Sequence, residues 1–418
     1  MREMKDSGIE WVGEIPDHWE IDKLKYHLKR NEPRNPGNQI VLSLYRELGV
    51  VPKDSRNDNY NVTSEDTSKY KYVKIGDFVI NKMKAWQGSV AVSDYEGIVS
   101  PAYFIYNFTD TVFYKKYFHY LLRSCYKDEF RRLSVGIREG QWDLPDNAVN
   151  NTLVLIPAIS EQKKIADYLN RKCSEIDTLT SDIQKQIEVL EEYKKSLVFR
   201  AVSRGIKGSP LKETISDVWT KIPENWKLVD IKYIFEIVKR IAGREGYNVL
   251  SVTQKGLKIK DIESNNGQQA ENYSGYQFVY PTDYVMNHMD LLTGWVDCST
   301  MFGVTSPDYR VFRLRDKVNN NLMYFKYLMQ CCYMSRIFYS LGQGVSNLGR
   351  WRLQTASFNN FMIPVPPPKE QPQIAAYLDE KCNGIDSIIA DKEGQLETLE
   401  EYKKSLIFEY VTGKKEVN

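Results

Sequence analysis

The chain has 418 residues, 57 basic and 55 acidic side chains for a formal net charge of +2, and 42% apolar residues. That length supports two to four domains with ordinary cores, and the apolar runs are far too short for a membrane-spanning helix. The start has no apolar core or signal-peptide pattern, and the six cysteines form no CxxC pair, so a cytoplasmic protein with free thiols and no membrane partner is expected.

In chain order, residues 1–158 open with IPDHW at Ile15 and continue through short β-type runs: VLSL, KIGDFVINK, GSVAVSDYEGIVS and PAYFIYNF. An amphipathic helix is predicted over 112–133 and a closing strand over NTLVLIP. Residues 159–206 read as one long helix, with Leu169, Ile176, Ile183, Leu190 and Leu197 spaced by seven. A second row, Leu179, Gln186 and Tyr193, is predicted to complete its seam. GIKGSP at Gly205 ends that helix. Residues 207–367 repeat the first pattern: IPENW at Ile222, a helix predicted over 322–341, then the strand NNFMIPVP. Residues 368–418 read as a second long helix, with Leu378, Ile385, Lys392, Leu399 and Leu406 in one row and Ile388, Gln395 and Tyr402 in the other.

The halves are copies. EQKKIADYLNRKCSEIDTLTSDIQKQIEVLEEYKKSLVFRAV at Glu161 returns 209 residues later at Glu370, without a gap and with about half its positions identical. GDFVINKM at Gly76 answers TDYVMNHM at Thr282, VSPAYFIY at Val99 answers TSPDYRVF at Thr305, and YFHYLLRSCY at Tyr117 answers YFKYLMQCCY at Tyr324. A repeat of this length implies two copies of one unit about a pseudo-twofold. Each helix follows its own domain, so that axis makes the two helices antiparallel. The expected fold is α+β: two pseudo-symmetric α+β domains separated and joined by two long helices that form an intramolecular antiparallel coiled coil. Tyr117, Phe118, Tyr120 and Leu121 are expected in the core.

Candidate contact residues lie where the copies diverge and are polar. In the first domain these are Lys82, Lys84, Gln87, Arg131, Arg132, Arg138 and Gln141; in the second, Asn287, His288, Gln343, Ser346, Asn347 and Arg350. Lys and Arg neutralise phosphates, while Arg, Gln and Asn carry the donor and acceptor forks that match base edges. Only residues 207–367 are clearly basic, with 19 basic and 14 acidic side chains, so charge permits a nucleic-acid partner without demanding one. Identity between the copies on an exposed stretch marks Glu191, Glu192, Tyr193, Lys194 and Lys195, with Glu400, Glu401, Tyr402, Lys403 and Lys404, as candidate partner-docking residues. A contact within the helix pair is the alternative.

Signs of catalysis are sparse. The four histidines are scattered without metal-ligand spacing, and there is no phosphate loop and no GxGxxG after a strand. The Asp/Asn-Pro-Pro-aromatic tetrapeptide with which amino-methyltransferases hold the target amine is absent. Glu224, Asp230 and Lys232 only faintly suggest a metal nuclease, and packing is the favoured reading. A chain without its own active site is expected. The rivals are an enzyme with an unrecognised site and a pure coiled-coil scaffold.

The IPxxW opening of each variable domain and EQxxIAxYLxxKCxxID running into LEEYKKSL, both duplicated, together with the IPxPPxxEQ entry and the ending LEEYKKSLIFExVTGK of the second copy, resemble the specificity subunit of type I restriction–modification enzymes across essentially the whole chain. The resemblance implies two target-recognition domains, each a half-reader of a split, asymmetric DNA sequence. It implies helices that act as a ruler and dock two methyltransferase subunits, with restriction (helicase–nuclease) subunits in the full complex. S-adenosylmethionine, ATP and Mg are then expected on those partners and no cofactor on this chain. The first copy departs from the pattern by reading IPAISEQKK, with fewer prolines.

Overall fold

The computed structural model describes residues 2–46, 48–55, 63–64, 66–136, 142–261, 272–344 and 351–417. It forms two compact units. One comprises Met1–Ile183 with Gly394–Asn418, the other Gln184–Glu393.

Each unit is built on the same antiparallel sheet. In the first the strand order is Leu28–Arg30, Tyr103–Phe108, Phe78–Asn81, Val90–Val92. In the second it is Phe235–Val238, Arg310–Leu314, Tyr284–Met286, Val296–Cys298. A two-stranded pair closes each domain, Glu20–Lys23 with Leu153–Ile156 and Lys227–Asp230 with Met362–Val365. The predicted closing strands are thus present, each paired with the strand that follows its IPxxW segment.

The domain helices are shorter than their apolar patterns suggest. The first is broken into Lys115–Tyr120, a π turn over Leu121–Cys125, and Lys127–Leu133. The second stops at Met334 and resumes as Ile337–Ser340, because Arg336 takes a left-handed conformation at φ 54°. Tyr117 and Phe118 are buried, as expected of core residues, and Tyr120 is half-buried.

Two long helices run Ile159–Arg204 and Gln371–Val411. The first carries neither proline nor glycine. The second tolerates Pro372 because it falls in the first turn, where the backbone N–H has no helical partner. Both end on a glycine at φ 71°, Gly205 and Gly413. No other residue suits these positions well: the conformation is left-handed, and a Cβ would stand 3.2 Å from Trp226 at Gly205 and 3.0 Å from Trp19 at Gly413.

Within each unit the two helices pack antiparallel. In the first, Tyr168 bonds Tyr410 through their hydroxyls at 3.2 Å and Asp177 takes Lys403 at 2.5 Å. In the second, Gln186 accepts from Lys392, and Lys194 binds Asp386 at 2.6 Å. Numbering rises on one helix as it falls on the other. These ion pairs are exposed enough that each contributes only about 0–1 kcal/mol, so the buried seam holds the pair.

The seam differs in one respect from expectation. Leu169, Ile176 and Ile183 are buried and Leu190 and Leu197 half-buried, but the companion row lies four residues after each, not three. It is Cys173, Thr180, Ile187, Lys194 and Ala201, with Cys382, Ile389, Leu396, Lys403 and Tyr410 in the second helix. The row read as the second seam faces outward: Leu179 is 49% exposed, Ile388 47%, Tyr193 57% and Tyr402 53%. On a helix of 3.6 residues per turn, a step of four leaves a side chain about 40° from its reference and a step of three about 60°. The closer row fills the groove.

The core of each unit joins sheet and helices. Trp19, Phe78, Tyr106 and Phe118 pack with Ile165, Leu169, Leu406 and Val411. Trp226, Tyr284, Phe312 and Phe325 pack with Val198, Val202, Ile374 and Leu378.

Candidate nucleic-acid interface

The residues EQ at the head of each long helix fix the domain to it, in the same way twice. Trp19 Nε1–H donates to Glu161 Oε2 at 3.0 Å, and Trp226 Nε1–H to Glu370 Oε2 at 3.1 Å. The Gln162 amide donates to the Val112 and Pro157 carbonyls and accepts from Tyr114 N–H; Gln371 does the same with Asn319, Pro366 and Asn321. The Tyr117 hydroxyl donates to the Val411 carbonyl at 2.9 Å, and that of Tyr324 to Val202 at 3.2 Å. Buried polar groups of this kind are satisfied only in one docking geometry. The sheet is therefore held on the helices.

In the first domain Lys82 follows the strand Phe78–Asn81 and pairs with Asp143 at 2.7 Å. Its carbonyl accepts from Leu144 N–H at 3.0 Å. Val135 and Asp143 exchange backbone hydrogen bonds of 2.9 and 2.8 Å and so close the root of a loop. Trp86 meets Trp142 edge to face at 5.3 Å, and the Arg131 guanidinium lies 5.9 Å from the Trp142 ring. Lys84 is exposed. Gln87 accepts from Arg46 at 3.0 Å. Arg132 forks onto Glu129 at 2.6 and 2.9 Å on its own helix. Arg138 and Gln141 lie outside the described residues. Lys82 and Arg131 thus stand at one loop root with Asp143 and Trp142, while Gln87 is held by Arg46, which sequence reasoning missed, and Arg132 by Glu129 of its own helix.

In the second domain the Asn287 side chain accepts from Met289 N–H at 3.3 Å, and its carbonyl accepts from the Tyr333 hydroxyl at 2.8 Å. His288 is buried, and its carbonyl takes Leu353 N–H at 3.0 Å. Gln343 is exposed and exchanges two 3.0 Å backbone bonds with Arg352. Ser346, Asn347 and Arg350 lie outside the described residues. Arg310 and Arg352 were missed. A signal existed for Arg310, an arginine standing where the first copy has the aromatic Phe104.

Burial, then the charges of Arg310 and Arg352, pushes the His288 imidazole down to about 3. Burial and Arg123 push His119 down to about 4. The folded chain therefore binds fewer protons than the unfolded one once pH falls below the usual histidine value near 6.5, and acid destabilises it. Each histidine should cost about 2 kcal/mol at pH 5 relative to pH 7.5. Urea titrations at the two pH values check this. His288→Gln should remove its share, and a variant that loses as much stability as the parent chain over that interval would contradict it.

On the helices, Lys194 and Lys403 are engaged within the pair through Asp386 and Asp177. Glu192 pairs with Lys195 and Glu400 with Lys404 along their own helices. Glu191, Tyr193, Glu401 and Tyr402 are exposed. By the antiparallel register, Leu179 lies at the level of Tyr402 and Ile388 at that of Tyr193. Each unit therefore carries the same exposed apolar and acidic patch. Among the described residues no group of histidine, cysteine or carboxylate side chains could hold a metal ion, and no helix is long and apolar enough to cross a membrane.

The sequence is similar to curated proteins over almost its whole length. It is 25% identical to the proposed MjaX type I restriction enzyme specificity subunit of Methanocaldococcus jannaschii, covering 96% of this chain and 95% of the relative. It is 23% identical to the MjaVIII type I restriction enzyme specificity subunit of the same organism, covering 96% and 93%. A solved chain from work on complex assembly and conformational transition of the type I R-M system shares the fold, with a TM-score of 0.69 at 13% identity over 95% of this chain and 98% of that one. Residues 16–189 and again 223–398 match the family described as the type I restriction modification DNA specificity domain. With both halves matched and the fold shared, the chain belongs to the type I restriction–modification specificity family.

Proposed function

We propose that this chain is the non-catalytic address of a type I restriction–modification complex, reading a split, asymmetric double-stranded DNA target with one domain per half-site. The observation that carries this is a frame repeated to the level of individual hydrogen bonds, with different polar side chains at the two loop roots: Lys82 and Asp143 in one, His288 and Arg352 in the other. A scaffold gains nothing from keeping the frame while varying those groups. The repeated exposed patches around Tyr193 and Tyr402 offer two equivalent docking surfaces, and the occupants proposed are two methyltransferase subunits, with restriction subunits joining the assembly. S-adenosylmethionine, ATP and Mg belong on those partners, and methyl transfer requires them.

Native mass spectrometry of the chain mixed with its methyltransferase tests the assembly. Two methyltransferase subunits per chain are expected, and Tyr402→Glu or Tyr193→Glu should each leave one. Both side chains are exposed, so neither change should unfold the protein. One partner on the unaltered chain, or methyl transfer by the isolated chain, would overturn the reading.

A further inference from the structure

The two domains carry different charge at one equivalent place. Hydrogen bonds and strand register establish the correspondence. Leu144 N–H binds the Lys82 carbonyl as Leu353 N–H binds that of His288. Ile80 pairs with Phe104 across the sheet as Met286 pairs with Arg310. The Val135–Asp143 bridge matches the Gln343–Arg352 bridge. Lys82, Phe104 and Asp143 of the first domain therefore stand where the second has His288, Arg310 and Arg352.

In the first domain each described cation around the Phe104 ring has a carboxylate. Lys82 has Asp143 at 2.7 Å, Lys71 has Glu32 at 2.9 Å, and Arg30 has Glu32 at 2.7 Å. In the second, Arg310 is only 4% exposed, lies 4.6 Å over the Phe358 ring, and donates to the Leu353 carbonyl at 3.0 Å and the Thr355 hydroxyl at 3.3 Å. Among the described residues no carboxylate bonds it. His288 beside it is 9% exposed, and its Nδ1 has no hydrogen-bond partner. Arg352 is exposed, and its charge acts on both. A buried guanidinium next to a second one, with an orphaned imidazole nitrogen between strand and loop, is costly unless an anion arrives.

We propose that this loop root is a phosphate seat, in which one DNA backbone phosphate is held by the exposed Arg352 guanidinium above the buried charge of Arg310 and the buried His288 imidazole. This rests on the DNA reading and deepens it. A phosphate is favoured over a base edge because only it brings the full negative charge that two guanidiniums lack. Among the described residues the neutralised first domain has no such seat at the corresponding position, so the two half-sites differ in their dependence on salt.

The test uses the assembled complex and a duplex containing its methylated site, with binding followed by fluorescence anisotropy across a NaCl series. Arg352→Ala should weaken target and unrelated duplexes by the same factor and flatten the log–log salt slope by about one. Arg352→Lys should keep the slope. Duplexes with single methylphosphonates through the second half-site should show one position where the parent complex loses affinity and Arg352→Ala loses nothing further. A loss confined to the cognate sequence with an unchanged slope would identify a base contact and overturn the phosphate seat, leaving the DNA reading intact. Full affinity in Arg352→Ala would also overturn it. An unaltered complex that binds no DNA would instead overturn the DNA reading itself. The Arg352 side chain is exposed and its strand contacts are backbone, so the fold should survive both substitutions.

Discussion

Leu169→Asp should destabilise the protein by at least about 3–5 kcal/mol, whereas Leu179→Asp should stay within about 0.5 kcal/mol of the parent chain. Both leucines lie on the first long helix, ten residues apart, and a simple apolar count treats them alike. Leu169 is fully buried in the core that also holds Cys173, Leu406 and Val411, so an aspartate there would place an unpaired charge among apolar side chains. Leu179 is 49% exposed, and an aspartate there stays hydrated. Urea unfolding of the two variants checks this. Equal losses would mean that the outer row is part of the seam after all.

The contrast between those leucines also shows where sequence reasoning stopped. The seven-residue row was legible because it is sustained through both helices, and antiparallel pairing followed from the repeat. Which neighbouring row completes the groove was not, because Ile388 and Ile389 are adjacent and equally apolar, and only packing selects Ile389. The EQ signature was recognisable as a signature, but its physical reason, a carboxylate receiving an indole N–H, needs residues more than 140 positions apart to meet. The domain helix was expected unbroken because its apolar spacing survives the π turn at Leu121–Cys125. At the loop roots, the sequence pattern found His288, which is buried, and missed Arg352, which is exposed, as well as the buried Arg310. Arg310 sits in a strand whose alternation reads as core, and it is visible only as an arginine aligned with Phe104. Arg138, Gln141, Ser346, Asn347 and Arg350 fall outside the described residues, so their roles rest on the sequence pattern alone.

The largest functional effect should come from exchanging one domain. The frame that fixes the second domain consists of Trp226 on Glu370, Gln371 across Asn319, Pro366 and Asn321, and Tyr324 on Val202. A relative's domain that keeps those partners should dock on these helices in the same orientation. Its loops, and hence its half-site, travel with it. The first domain has its own Trp19, Glu161 and Gln162 and is untouched by the exchange. The most direct measurement is therefore a map of methylated adenines in a host expressing the chain with its methyltransferase, before and after residues 207–367 are replaced by those of a relative. The account predicts a split motif in which one half changes to the relative's half-site and the other is retained. An unchanged motif, or the loss of both halves from a complex that still assembles and methylates, would contradict it.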